Sequence, residues 1–220
     1  MCDSIKKGFR ELILGLIFKI LYNLKCSREI CFCFIKFFAA MRTLFIFDKT
    51  KHQIERDKWF HIYATKLFGY SIFKTAKSVG NNFWCYGFST VNKNTVLKEH
   101  VNCNGLTVVG HGNLTIGRYF HSGAELLIIT QNHKYENANA IPYDENIIYE
   151  DVEIGDFVWV GSRVTILPGT KIGEGAIIQA GSVVHGEIPP LAIAGGNPAK
   201  VFKQRNEEEF YRLKNEGKFC

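Results

Sequence analysis

With 220 residues the chain has room for one full-sized core and a modest appendage, and 46% hydrophobic against 22% charged residues excludes a disordered chain. The net charge of +6 is localised: residues 1–50 hold nine Lys/Arg against four Asp/Glu, so +5 of it sits at one end and the rest carries only +1. That distribution excludes a nucleic-acid footprint on the main domain.

Residues 1–75 read as a basic, apolar, helical segment. Its runs LILGLIFKIL (12–21) and ICFCFIKFFAAMRTLFIF (30–47) are interrupted by Lys19, Lys36 and Arg42. Neither supplies the roughly 18 uncharged residues of a membrane span. Two readings stay open: residues 1–47 lie peripherally on an anionic membrane surface, or they cap the domain that follows. Residues 12–18 are followed by more basic and aromatic sequence, so a cleavable leader is not expected. The seven cysteines (Cys2, Cys26, Cys31, Cys33, Cys85, Cys103, Cys220) are odd in number and contain no C-x-x-C pair. They indicate neither a disulfide framework nor a zinc ribbon and suit a reducing cytoplasm.

Over residues 76–205 a period of six takes over. Val79, Cys85, Val91, Leu97, Cys103 and Val109 recur at that spacing, with Phe83, Ser89, Thr95, Val101, Thr107 and Asn113 four residues after each. After a one-residue slip come Ile116, Ser122 and Ile128; the ladder resumes as Ile154, Val160, Ile166, Ile172, Ile178 and Val184, with small or β-branched Val158, Val164, Thr170, Ala176 and Ser182 at the fourth step. Six is neither a helical nor a simple strand period. If three rungs make a triangular turn, these 15 rungs form five coils whose aliphatic residues stack inside. An antiparallel sandwich with chance spacing is the competing reading. Gly117, Gly155, Gly161, Gly173, Asn81, Asn82, Asn92 and Asn94 are expected to supply positive φ at the corners.

The ladder breaks once for long. The rung after Ile128 is due at Lys134, yet regularity returns only at Ile154, leaving the polar QNHKYENANAIPYDENIIYEDVE (131–153) with an inserted loop at 134–151. A structureless insertion of about 20 residues in so regular a stack is usually functional. His133 stands at its entrance, held by the last rung before the break. A neutral imidazole that titrates near working pH suits a general base. His100 and His185 are expected at the surface. Residues 206–220 end the chain with a short amphipathic helix, NEEEFYRLKNE (206–216), in which Asn206 is the N-cap and acids fill the first turn.

The stretches VWVGSRVTILPGTKIGEGAIIQAGSVV (158–184) and IPPLAIAGGNPAKVFKQR (188–205) resemble the hexapeptide-repeat acyltransferases, the left-handed β-helix superfamily. Within it they are most similar to the sugar O-acetyltransferases of the galactoside, maltose and capsule type. The resemblance implies an all-β, left-handed parallel β-helix with a helical N-terminal segment and a short C-terminal helix. The handedness comes only from the resemblance, since the general crossover rule favours the right-handed form.

The resemblance also implies acetyl-CoA as co-substrate, His133 as catalytic base, and an active site built between the subunits of a homotrimer. An oxyanion-stabilising asparagine is expected about 30 residues before the histidine; that count reaches Cys103, flanked by Asn102 and Asn104, with Asn104 favoured and the assignment open. Gly161, Ser162, Ala180 and Gly181 correspond to the positions that border the coenzyme's pantetheine arm. Lys200, Lys203 and Arg205 correspond to cations at its phosphates, and Trp159 to the donor or acceptor channel. This chain has His185-Gly186 where members often have Thr-Lys, which removes one phosphate contact. His111, His121 and His133 allow a three-histidine metal site like that of the β-helical carbonic anhydrases, but the GNPAK ending and the long loop favour acyl transfer, and no metal is expected.

The implied activity is acetyl transfer to a sugar hydroxyl in surface polysaccharide synthesis, in the cytoplasm or at the inner face of the membrane. Rival activities are antibiotic O-acetylation and N-acylation of an amino-sugar nucleotide. The non-enzymatic rival is a silent β-helix scaffold, against which an intact His133 argues.

Overall fold

The computed structural model describes residues 61–219, in a chain that divides into two compact units, Met1–Phe68 and Gly69–Cys220. The expected membrane or capping role of residues 1–47, and Cys2, Cys26, Cys31, Cys33 and Cys220, lie outside the described residues. Of the first unit, residues 61–68 are helical. The second unit opens with a helix, Tyr70–Thr75, and is then a parallel β-helix.

One face of the β-helix is a six-stranded parallel sheet that stacks Ser78–Val79, Thr95–Leu97, Leu114–Ile116, Val152–Ile154, Lys171–Ile172 and Glu187–Ile188 in that order. A nine-stranded sheet supplies the other two faces, because Asn102–Val109 and His121–Ile129 run through both. His121–Ile129 pairs with Trp159–Val160 at its start and with Thr165–Ile166 at its end. The registers Ile154↔Ile172, Val160↔Ile178 and Ile166↔Val184 place each rung on the residue 18 positions later, three sixes to a coil. Architecture and period agree with the β-helix that the repeat implies.

The interior follows the ladder. Ile154, Val160, Ile166, Ile172, Ile178 and Val184 are all buried, as are the fourth-step residues Val158, Val164, Thr170, Ala176 and Ser182. Burying such an aliphatic side chain contributes about 1.5–3 kcal/mol, and each coil gains it only by stacking on a neighbour.

Three details differ from the sequence reading. First, Val109 is not interior: it is 45% exposed, as are Thr107 and Asn113 by class, while Leu106, Val108 and Leu114 fill the core. The register slips between Asn102 and Asn104, where Gly105 takes φ +103°, and a one-residue slip turns every following side chain to the other face. Second, there are six coils in the six-stranded sheet and not five. After Val184 the spacing contracts to four, so that Ile188 and Ala194 continue the buried column. Third, Gly117, Gly155, Gly161 and Gly173 do not have positive φ. A Cβ on any of them would strike backbone of the next coil: Gly155 would meet the Glu174 nitrogen at 2.8 Å. Positive φ falls two residues later, at Tyr119, Phe157, Arg163 and Gly175. Of the expected asparagines, Asn82 does take positive φ, at 56°.

At one corner these left-handed residues form an aromatic column. The rings of His100 and Tyr119 stack at 4.4 Å, and those of Tyr119 and Phe157 at 5.1 Å. Such stacking offsets the strain of φ near +55° in residues with a Cβ. The C-terminal helix Glu207–Asn215 closes on this corner through buried Phe210, whose ring meets Phe157 edge-on, and through the Lys214–Glu174 ion pair at 2.6 Å. Asn206 caps it as its sequence implies, accepting the Glu209 N–H at 2.8 Å.

Candidate active site

The break in the ladder is a ribbon. Gln131–His133 and Ile147–Tyr149 pair antiparallel, with His133 opposite Ile147. Residues 147–149, expected within a loop, are therefore a strand, and the irregular part shortens to 134–146. The tip is tied by backbone and carboxylate together. Lys134 N–H donates to the Asn146 carbonyl at 3.0 Å, and Asp144 N–H to the Lys134 carbonyl at 3.2 Å. The buried Asp144 carboxylate accepts from the N–H groups of Asn146 (2.9 Å) and Asn139 (3.2 Å), the first an Asx-turn. The Asn146 N–H holds this carboxyl below the usual carboxylate range; desolvation opposes the shift and the Asn139 N–H reinforces it.

His133 is exposed at the end of its strand, with its ring stacked on Tyr143 at 3.9 Å and 20°. Tyr143 is a neighbour of His133 that sequence reasoning missed; its place in the loop showed only that the loop is rich in tyrosine. Asn104 lies one coil before Ala124, with which it is in register, and its Nδ2 donates to the Ser122 carbonyl at 3.0 Å. An amide NH2 has two hydrogens, so this bond leaves a second donor. Its neighbour Asn102 keeps a buried Oδ1 with no partner among the described residues.

The small residues expected to form a groove do stack. Gly181 N–H donates to the Ser162 carbonyl at 2.9 Å, and Gly161 lies against the Ala180 backbone so closely that no Cβ would fit. One coil earlier Ser162 Oγ accepts the Ala124 N–H at 3.0 Å. Ala124, Ser162 and Ala180 thus mark one corner, and Gly181, at φ +73°, has nothing within 4 Å of where a Cβ would stand. This open corner suits a long ligand that needs backbone polar groups and little side-chain bulk. Trp159 is 57% exposed on the adjoining face, in register with His121 and Ile177.

Lys200 and Lys203 are exposed on the antiparallel strand Ala199–Gln204 that ends the coil. Arg205 differs from them: its Nη1 donates to the Gly175 carbonyl at 3.1 Å and its guanidinium covers the Phe210 ring at 4.9 Å, so it fastens the C-terminal helix. A groove of about 650 Å³ on the six-stranded face, lined by Lys98, Asp151, Glu153, Lys171 and Glu187 among others, contains none of the expected site residues. Among the described residues no three His, Cys, Asp or Glu side chains gather as a metal site, and none of the helices is long and apolar enough to cross a membrane.

Residues 151–186, within the coil, match the family model described as bacterial transferase hexapeptide (six repeats). The following relatives are acetyltransferases by name. WbbJ of Escherichia coli K12, provisionally named a lipopolysaccharide biosynthesis O-acetyl transferase, is 37% identical over 103 residues, 44% of this chain and 53% of that protein. A chloramphenicol acetyltransferase of Klebsiella aerogenes is 36% identical over 102 residues, 40% of this chain and 49% of that one. The chain thus spans about half the length of the curated relatives it matches. Among solved structures, a galactoside acetyltransferase in complex with coenzyme A superposes with a TM-score of 0.53 at 25% identity, over 71% of this chain and 74% of that chain.

Proposed function

We propose that the protein transfers an acetyl group from acetyl-CoA to a hydroxyl of a sugar acceptor. The observation that carries this reading is the exposed His133, held at the end of a paired strand beside a solenoid whose relatives are acetyltransferases. The donor supplies an activated acyl carbonyl. His133 takes the proton of the acceptor hydroxyl as its oxygen attacks, and returns it to the departing coenzyme sulfur. Acceptor O–H and thioester C–S bonds break, ester C–O and thiol S–H bonds form, and no other reactant is required. The second amide hydrogen of Asn104 is the candidate donor to the developing oxyanion.

The open corner of Gly161, Ser162, Ala180 and Gly181, with Trp159 beside it, fits the pantetheine arm. Lys200 and Lys203 fit the phosphates, as point charges on exposed side chains. Arg205 has its own structural partners, which argues against a phosphate role. The reading includes a homotrimer, as the resemblance implies, in which one copy's His133 faces the corner of the next. Sedimentation should then give three times 25.1 kDa, and an active monomer would contradict it.

A surface polysaccharide or its precursor is the favoured acceptor, on the WbbJ likeness; the chloramphenicol acetyltransferase likeness supports a hydroxylated antibiotic as second reading. A thiol-release screen with acetyl-CoA separates them. Turnover with sugars and none with chloramphenicol is expected. Release with chloramphenicol alone would reverse the assignment, and release with neither, across a broad acceptor panel, would favour a scaffold.

A further inference from the structure

The rings of His133 and Tyr143 lie 3.9 Å apart and within 20° of parallel. Both residues are exposed, yet each is carried on backbone that is tied down. His133 closes a paired strand, and the next residue, Lys134, shares two backbone hydrogen bonds with the far side of the loop. Tyr143 directly precedes Asp144, the buried carboxylate that gathers the N–H groups of Asn139 and Asn146. The backbone beside both rings is therefore held, by strand pairing on one side and by one acid on the other. Among the described residues no carboxylate hydrogen-bonds the imidazole, the usual means of orienting a basic histidine.

We propose that Tyr143 is the positioning residue of this site: its ring, braced through Asp144, fixes the plane of the His133 imidazole. A face-to-face contact restrains the imidazole's rotation while leaving both nitrogens free at the ring's edge, where an acceptor hydroxyl approaches. A base held at the productive angle reacts without first losing rotational freedom, and small misplacements of a catalytic group are costly in rate. The work is done by the aromatic face, so the phenolic hydroxyl is dispensable. This inference rests on His133 acting as the base.

The test uses the full chain with carbon-13-labelled histidine, His133 being identified by the resonance lost in His133→Asn. In the wild type, the tyrosine ring current should displace the His133 ring protons upfield of an ordinary histidine, as Tyr119 should displace those of His100. Tyr143→Ala should return the His133 protons to the ordinary position, and Tyr143→Phe should keep them displaced. Thiol release from acetyl-CoA is followed in parallel, with methyl galactoside and with water alone as probe acceptors. Tyr143→Ala should lower kcat about tenfold with the donor KM within about twofold, and Tyr143→Phe should restore most of the loss. An undisplaced wild-type resonance overturns the proposal. So does a Tyr143→Ala rate equal to wild type, or a Tyr143→Phe defect as large as that of Tyr143→Ala. Should neither probe turn over, the resonance decides. A His133→Asn variant that keeps its rate is a separate failure, that of the base assignment.

Discussion

The corner glycines divide into two kinds that respond differently to the same substitutions. Gly155 has ordinary φ but lies on the next coil; a Cβ there would stand 2.8 Å from the Glu174 nitrogen and 3.1 Å from its Cα. Backbone cannot swing aside as a side chain does, so the coils must part. Gly155→Ala should cost about 1–3 kcal/mol, as overpacking does, and lower Tm by roughly 2–12 °C at about 2–4 °C per kcal/mol for a chain of this length. Gly186 has φ +75° and nothing within 4 Å of a Cβ, so its constraint is conformational alone. Gly186→Ala should cost about 1–2 kcal/mol, and Gly186→Asn less, because asparagine tolerates the left-handed region. At Gly155 the order reverses, since asparagine brings more atoms to the same clash. Thermal unfolding of the four variants, at one protein concentration, checks this. A Gly155→Asn variant more stable than Gly155→Ala would refute the close-approach account.

Lys200→Ala should raise the donor KM about tenfold while kcat changes little, the pattern of lost uniform binding; equal losses in both would place Lys200 in the chemistry. The Asp144 carboxyl is held below its ordinary range, so the order it gives the loop is whole above about pH 4 and is lost as pH falls through its lower folded value. Proteolysis at residues 134–146 by an acid-active protease should therefore rise sharply only below pH 4, and a protease active at neutral pH should cut Asp144→Ala there while sparing the wild type. Cleavage of the wild type already at pH 6 would contradict the clamp.

How much of this was legible in the residues varies along the chain. Residues 154–184 keep an unbroken period of six, and every rung and fourth-step residue there is buried where its spacing placed it. Around Asn104 the same rule misled: Thr107 and Val109 continue the arithmetic, but the register shifts between Asn102 and Asn104 and gives the interior to Leu106 and Val108. Hydrophobicity could not decide between Val108 and Val109, since both suit a strand. The sixth coil was hidden by contraction at His185–Gly186, which a fixed period cannot follow. At the site, the break exposed His133 by its position alone. The strand Ile147–Tyr149 was masked by polar neighbours, and the Tyr143 contact depends on a loop closed by Asp144, which no periodicity encodes.

The base assignment is tested most directly by His133→Ala, with turnover and donor binding measured on the same preparation. Removing a general base costs on the order of 10²–10⁴-fold in rate. With acetyl-CoA and the acceptor found by screening, kcat should fall by that factor while the Kd for coenzyme A stays within a few-fold. The corner at Ser162 and Ala180 is built by other coils and should be left intact. Near-normal kcat in a correctly assembled His133→Ala protein would contradict the account and pass the role of base to another residue, His121 first.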